Sequence, residues 1–151
     1  MTTFTTPVIS QAGEGHIALG FGPHLIRMSA EETGNTFGMF EENVPPAAGP
    51  PLHIHEREEE FFRVLSGRFL FTCGDTQTVV EEGGCLLLPR GVPHRFENIG
   101  RTMGRLMIIV TPGGFEGFFQ AVAEAGPAGL DAVCARYGLR FVDPVAHARV
   151  A

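Results

Sequence analysis

The sequence predicts an all-β barrel that is followed by two short helices near its C-terminal end. Short segments of alternating apolar and polar residues, separated by turn residues, run from His24 to Val110. Twenty Gly and eleven Pro, spread without a short period, favour many turns over long helices. After Pro112 the spacing of the apolar residues changes to that of amphipathic helices.

Eight segments are predicted to be strands: Phe37–Val44, Leu52–His55, Glu60–Leu65, Arg68–Cys73, Gln77–Glu81, Cys85–Leu88, His94–Asn98 and Arg105–Val110. The pair Gly74-Asp75 suits a two-residue hairpin turn, because glycine readily adopts the positive φ of the first turn position. The proline-rich stretch 45–51 is predicted to be a connector, since proline lacks the amide hydrogen that a central strand needs. Strands at this even spacing indicate a closed or double-sheet antiparallel structure.

The two predicted helices follow the i, i+3, i+4, i+7 pattern of an apolar face. The first face comprises Phe115, Phe118, Phe119 and Val122, and the second comprises Leu130, Val133, Cys134 and Tyr137. Gly138 stands where a helix C-terminus commonly has its left-handed glycine. We expect one domain over residues 1–151, with a barrel core at about 24–110 and a helical tail at 113–138. The phenylalanine strip of the first helix is expected to provide packing rather than to contact a substrate.

Composition excludes several classes of function. The net charge of −6 argues against nucleic acid or an anionic membrane as the main partner. All eleven basic residues are Arg, and without Lys the chain has no side-chain amine for a Schiff base. Three cysteines without paired spacing favour a reducing compartment, and no apolar run approaches the length of a membrane span. We therefore expect a soluble, cytoplasmic protein.

Three histidines and one glutamate are the candidate ligands of a metal ion. His53 and His55 are one residue apart on a predicted strand, so both side chains lie on the same face. Glu60 begins the strand that follows the acidic turn 56–59, where its carboxylate can face the same ion. His94 begins another predicted strand. Imidazole and carboxylate together suit Fe, Mn, Ni, Co, Cu or Zn better than Ca or Mg.

Two spaced motifs connect these four residues. In the first, His53-Ile54-His55 is followed by four residues, Glu60, six residues and Gly67. The second, G-x5-P-x-G-x2-H-x3-N, is matched by Gly83, Pro89, Gly91, His94 and Asn98. Over residues 49–98 the chain thereby resembles the cupin superfamily, with Gly49 closer to His53 than the early glycine of the first motif usually is.

The resemblance implies a jelly-roll barrel in which His53, His55, Glu60 and His94 hold one divalent transition metal. Within this superfamily, the chain resembles the single-domain quercetin dioxygenase type in particular. The resemblance includes a tail of the form T-P-G-G-F-E-G-F-F that begins at Thr111. The resemblance and the apolar C-terminal helices together favour a homodimer. Asn98 is expected to be a hydrogen-bonding residue at a strand end rather than a ligand.

The site leads to three hypotheses about function. By strand parity Phe62 and Val64 point inward with Glu60, and Phe96 points inward with His94, so a small-molecule pocket would be apolar. The resemblance favours a dioxygenase that acts on an aromatic or enolisable substrate, with Glu60 as ligand or as the base that takes the substrate proton. The alternatives are a metal-assisted cyclase, isomerase or lyase that does not use O2, and a ligand-binding barrel without catalysis.

The remaining glutamates near the motifs and the remaining histidines are not expected to take part in the site. The neighbouring carboxylates are expected to be charges on the rim of the site: Glu56, Glu58 and Glu59. The histidines outside both motifs are expected to be surface or capping residues: His16, His24 and His147.

Overall fold

The computed structural model describes residues 5–142, and the strands of this part form two antiparallel sheets. In chain order the strands are β1 (His16–Ala18), β2 (His24–Met28), β3 (Gly38–Val44), β4 (His53–His55), β5 (Glu59–Ser66), β6 (Arg68–Cys73), β7 (Thr76–Glu81), β8 (Cys85–Leu88), β9 (His94–Asn98), β10 (Gly104–Thr111) and β11 (Leu139–Phe141). One sheet has the order β1-β2-β3-β10-β5-β8, and the other has the order β11-β4-β9-β6-β7. This mostly-β architecture is that of the predicted jelly roll.

The eight predicted strands are present as β3 to β10, and each end agrees within one residue. The predicted Gly74-Asp75 pair forms the turn of the β6–β7 hairpin, and Gly74 has the positive φ of 54° that the turn requires. Three strands were not predicted, namely β1, β2 and β11. Two of them have only three residues, which is too short to show the period of two, and they form because a neighbouring strand supplies their hydrogen bonds.

The core lies between the facing sheets and is built from residues that alternate along each strand. On β10, for example, Leu106, Ile108 and Val110 are buried, whereas Arg105 and Thr111 are exposed. Facing side chains on neighbouring strands then form continuous apolar rows. One such row crosses the six-stranded sheet as Phe40, Ile108 and Phe62.

The two predicted helices are present as α1 (Phe118–Ala125) and α2 (Leu130–Tyr137), and each is preceded by a short 3₁₀ turn. Gly138 follows the last residue of α2, and its φ of 67° is the left-handed conformation that favours glycine at a helix C-terminus. The chain then returns as β11 beside β4, so the tail closes over the strand that carries two of the histidines. Within residues 5–142 no helix is long and apolar enough to cross a membrane.

Candidate metal centre and adjoining cavity

The four predicted ligands lie together at one end of the barrel and are contributed by both sheets. His53 and His55 are on β4, and His94 is opposite His53 on β9 of the same sheet. Glu60 is on β5 of the other sheet and faces them across the interior. One nitrogen or oxygen of each residue lies within 4.8 Å of those of the other three, and all four side chains are buried.

The Glu60 carboxylate lies between two of the imidazole rings. Its Oε2 is 2.8 Å from His94 Nε2, and its Oε1 is 3.3 Å from His55 Nε2. The centre of the His53 ring is 4.6 Å from that of His94 and 5.2 Å from that of His55. The four side chains therefore converge on a single point rather than lining a surface.

The second nitrogen of each ring is turned towards an oxygen outside the cluster. His53 Nδ1 donates to the Pro51 carbonyl oxygen at 2.7 Å, and His94 Nδ1 donates to the Val92 carbonyl oxygen at 3.0 Å. His55 Nδ1 faces the Glu58 carboxylate at 3.6 Å. In a neutral ring whose Nδ1 carries the hydrogen, Nε2 has a lone pair to offer a metal ion, and the carbonyl partners favour this tautomer for His53 and His94. His94 Nε2 also lies at hydrogen-bond distance from Glu60 Oε2, a contact that a bound metal ion would replace.

Burial and mutual proximity set the charge of the cluster. Burial, reinforced by the His55 and His94 rings, lowers the pKa of His53 to about 3. Burial opposes the charge on Glu60, but the His55 and His94 rings outweigh it and lower the pKa of Glu60 to about 2. Burial likewise opposes a charge on His55, yet Glu60 and Glu58 raise its pKa above the usual value. The site thus combines an ionised carboxylate with a neutral His53, which are the forms that bind metal ions.

The geometry and the donor set both fit a single divalent transition metal. Nitrogen and oxygen ligands at about 2.1 Å from one ion lie roughly 3.0–4.2 Å from each other. The donors here lie within 4.8 Å, so small side-chain movements bring them to that range. The buried His55 Nδ1 and Glu58 Oε2 lack hydrogen bonds, and a cation on the opposite nitrogen would draw them together. Four protein ligands leave one or two positions open on an ion that prefers five or six.

A cavity of about 530 Å³ adjoins the cluster, and His53, His55 and Glu60 form part of its wall. This volume is within the range of pockets for small molecules. The phenylalanines of its lining are Phe21, Phe40, Phe62, Phe96, Phe115, Phe118, Phe119 and Phe141. Among the described residues that line it, none is Arg, Lys or Thr, which are the side chains expected to hold a phosphate group.

The predicted pocket residues divide into two groups. Phe62 and Phe96 line the cavity as the strand parity indicates. The prediction for Val64 is wrong in one respect, because Val64 points inward but is completely buried in the core and does not line the cavity. The phenylalanine strip of the tail, expected only to pack, also lines the cavity, and the Phe115 ring meets the His55 ring edge-on at 4.2 Å.

Two other residues differ from their sequence interpretation. Glu58 is buried beside His55 and is not a rim charge, since the bend before β5 turns its side chain inward. His24 is also buried rather than on the surface, because it alternates with Ile26 on the unpredicted strand β2. If β2 is taken as a strand, its alternation places His24 on the buried face with Ile26. No short sequence pattern indicates that Glu58 is buried.

The other interpretations agree with the structure where it describes them. Glu56 and His16 are exposed, and Glu59 forms a partly exposed ion pair with Arg90. Asn98 is a structural hydrogen-bonding residue, which donates to the Val44 and Thr102 carbonyl oxygens and accepts from the Gly100 amide. The prediction for His147 lies outside the described residues.

Comparisons with known proteins agree with this fold and this set of residues. The model of the Cupin domain family matches residues 40–110. An uncharacterised protein from Methanocaldococcus jannaschii is 32% identical over 69 residues, which cover 46% of this chain and 55% of that protein. Protein SchB from Streptomyces halstedii is 37% identical over 60 residues, which cover 40% of this chain and 44% of that protein. The chain thus spans about half the length of these curated relatives.

A solved structure supports the same assignment at the level of the fold. The structure of a predicted oxalate decarboxylase from Thermotoga maritima aligns with a TM-score of 0.61 and 20% identity. The alignment covers 69% of this chain and 98% of that one. The two motifs, the two-sheet architecture and the family match agree, and residues 40–110 form a domain of the cupin superfamily.

Proposed function

We propose that this chain is a metal-dependent dioxygenase of the quercetinase type, which acts on an aromatic or enolisable small molecule. The observation that carries this proposal is the junction of the buried cluster with a cavity of about 530 Å³ that is mostly apolar and includes several phenylalanines in its wall. A structural metal site would be closed, whereas this one borders a space large enough for a substrate. When bound, a redox-active ion would supply a Lewis acid for a substrate oxygen and electrons for reaction with O2.

The side chains of the protein have distinct tasks in this proposal. The phenylalanine rings would hold an aromatic substrate by its faces and edges and exclude water from the reacting end. Glu60 would either ligate the ion or take the substrate proton, because its carboxylate forms part of the cavity wall. His53, His55 and His94 would hold the metal, with His53 and His94 kept in orientation by the carbonyl oxygens of Pro51 and Val92.

The first experiment is elemental mass spectrometry on protein purified without a histidine tag or added metal. The expected result is about one Fe, Mn, Ni, Co or Cu per chain. Substrate-dependent O2 uptake with flavonols should then be seen in the wild type and lost in His53→Ala. Absence of uptake by protein with a full equivalent of a redox-active metal would refute the dioxygenase assignment.

A second candidate uses the same residues without O2. In a cyclase, isomerase or lyase that forms an enolate, Glu60 would take the substrate proton beside the cavity while the metal ion stabilises the enolate. Zinc has no redox chemistry, so one equivalent of zinc with substrate conversion under nitrogen would favour this candidate.

A further inference from the structure

A second polar pair faces the same cavity and takes no part in the metal cluster. It consists of His24 on β2 and Glu42 on β3, which stand directly opposite each other across the two strands. Both residues line the cavity, and His24 Nε2 lies 3.7 Å from Glu42 Oε2. The His24 side chain is 3% exposed and that of Glu42 is 20% exposed, so the carboxylate remains within reach of a ligand.

The His24 ring is fixed by three contacts. It stacks on Phe119 with 3.7 Å between ring centres and an angle of 13° between the planes. It meets the Phe40 ring edge-on at 6.0 Å. Its Nδ1 donates to the Gly22 carbonyl oxygen at 3.0 Å. A ring held in this way cannot turn to hide Nε2, which stays directed towards Glu42.

His24 and Glu42 face each other, and no described residue places a hydrogen-bond donor between them. The Gly22 carbonyl can only accept, so His24 Nδ1 carries a hydrogen and Nε2 of the neutral ring is an acceptor. The Glu42 carboxylate is also an acceptor, and the gap of 3.7 Å is too long for a direct hydrogen bond. A hydroxyl or N–H group placed between them donates its one hydrogen to one of these two acceptors, of which the Glu42 carboxylate is the more exposed. If the ring is protonated instead, the carboxylate still accepts from a ligand in the cavity.

We propose that His24 and Glu42 form a second subsite, which binds a hydroxyl or N–H group of an aromatic ligand. This proposal rests on the proposed function in one respect, which is that the opposite end of the same ligand binds at the metal cluster. Aromatic rings form the wall between the two ends. The ring centre of Phe119 is 5.9 Å from that of Phe115, and the ring centre of Phe115 is 4.2 Å from that of His55. The substrate class is therefore a polyphenol or a related polycyclic molecule with polar groups at both ends.

The strand register gives the scale of this ligand. Glu42 is opposite Leu106 on β10, and Leu106 is opposite Val64 on β5. Val64 is four residues from Glu60, so the backbone positions of Glu42 and Glu60 differ by about 13 Å along the strands, at about 3.3 Å per residue, and by two strand spacings of about 4.8 Å across the sheet. Two or three linked aromatic rings with their polar substituents match this span, whereas a single small ring does not.

The test compares two probes that differ in one hydroxyl group, 3-hydroxyflavone and 3,4′-dihydroxyflavone. Binding is measured by fluorescence titration under nitrogen, so that no turnover occurs. The wild type should bind the dihydroxy probe about tenfold more tightly, as expected for a hydrogen bond to a charged acceptor. The readout is the ratio of the two affinities, because a general loss of packing weakens both probes alike.

Two variants and one control variant test whether the preference for the dihydroxy probe depends on His24 and Glu42. His24→Phe keeps a ring against Phe119, and Glu42→Gln keeps the shape of the side chain while removing its charge. Each should reduce the tenfold ratio to about threefold or less. Glu41→Gln makes the same change of charge at the neighbouring residue, which pairs with Arg27 and Arg105 instead, and should leave the ratio unchanged.

Equal affinity of the wild type for both probes, binding of neither probe, or a full ratio in both variants would overturn the subsite. The two proposals fail separately. A hydroxyl preference that depends on His24 and Glu42, in protein without O2 uptake, would refute the dioxygenase and support the subsite. O2 uptake with 3-hydroxyflavone, in protein without the preference, would refute the subsite alone.

Discussion

Replacement of Glu58 by Gln should weaken the binding of a divalent transition metal by roughly 10- to 100-fold. Glu58 Oε2 lies 3.6 Å from His55 Nδ1, and both atoms are buried without a hydrogen bond. A cation on the opposite nitrogen makes the Nδ1 hydrogen more positive and so strengthens its attraction to the carboxylate. The substitution removes the charge on which this attraction depends.

The distance sets an upper limit to the effect. Two full charges 3.6 Å apart attract by roughly 4–5 kcal/mol at an effective dielectric constant of about 20. The Nδ1 hydrogen carries only part of the charge of the ion, so a fraction of that energy is expected. A loss of 10- to 100-fold corresponds to about 1.4–2.7 kcal/mol, which lies within the limit.

The assay is competition for Co²⁺ or Zn²⁺ against a chromogenic chelator, with urea unfolding of the metal-free protein as a check on the fold. Glu56→Gln is the matched control, because it makes the same change of charge two residues away on an exposed side chain. Metal affinity of Glu58→Gln within twofold of the wild type would refute the reasoning. An equal loss of metal affinity in Glu58→Gln and Glu56→Gln would also refute it, because the change in net charge alone would then explain the loss.

Four further outcomes are expected. His53→Ala should lose stoichiometric metal by elemental mass spectrometry while its far-ultraviolet circular dichroism remains that of a folded barrel. Glu60→Gln should lower turnover at least about 100-fold, and full turnover would exclude its role as base. For metal-free protein, the pKa of His53 falls from 6.5 to about 3 on folding, so the unfolded chain binds the extra proton between these pH values. Its contribution to the free energy of unfolding should decrease on acidification through this window by at most about 1.4 kcal/mol per pH unit, which urea titrations of the wild type and His53→Phe would measure. Gly49→Ala should destabilise the fold by more than about 2 kcal/mol in urea titrations, because its Cβ would lie 1.9 Å from the Phe96 carbonyl oxygen.

The strands of the barrel were predictable wherever the sequence carries a local pattern. Strands β5 and β10 alternate over eight residues, and each has one face in the core, so the period of two is visible without any partner. Strand β2 was missed although its His24 and Ile26 are buried, because a histidine does not register as an inward apolar residue. Strand β11 has three residues and exists through its pairing with β4.

The positions of His53, His55, Glu60 and His94 could be assigned to one metal site from their spacing alone, because strand alternation and turn glycines are local properties of a sequence. The other polar residues near the site are brought there by the packing of distant segments. Glu58 is inward because a bend turns it towards His55, and Glu42 faces the cavity beside His24 because β2 pairs with β3 in one register. Burial depends on what packs against a residue from distant parts of the chain, and the residue's own sequence neighbourhood does not contain that information.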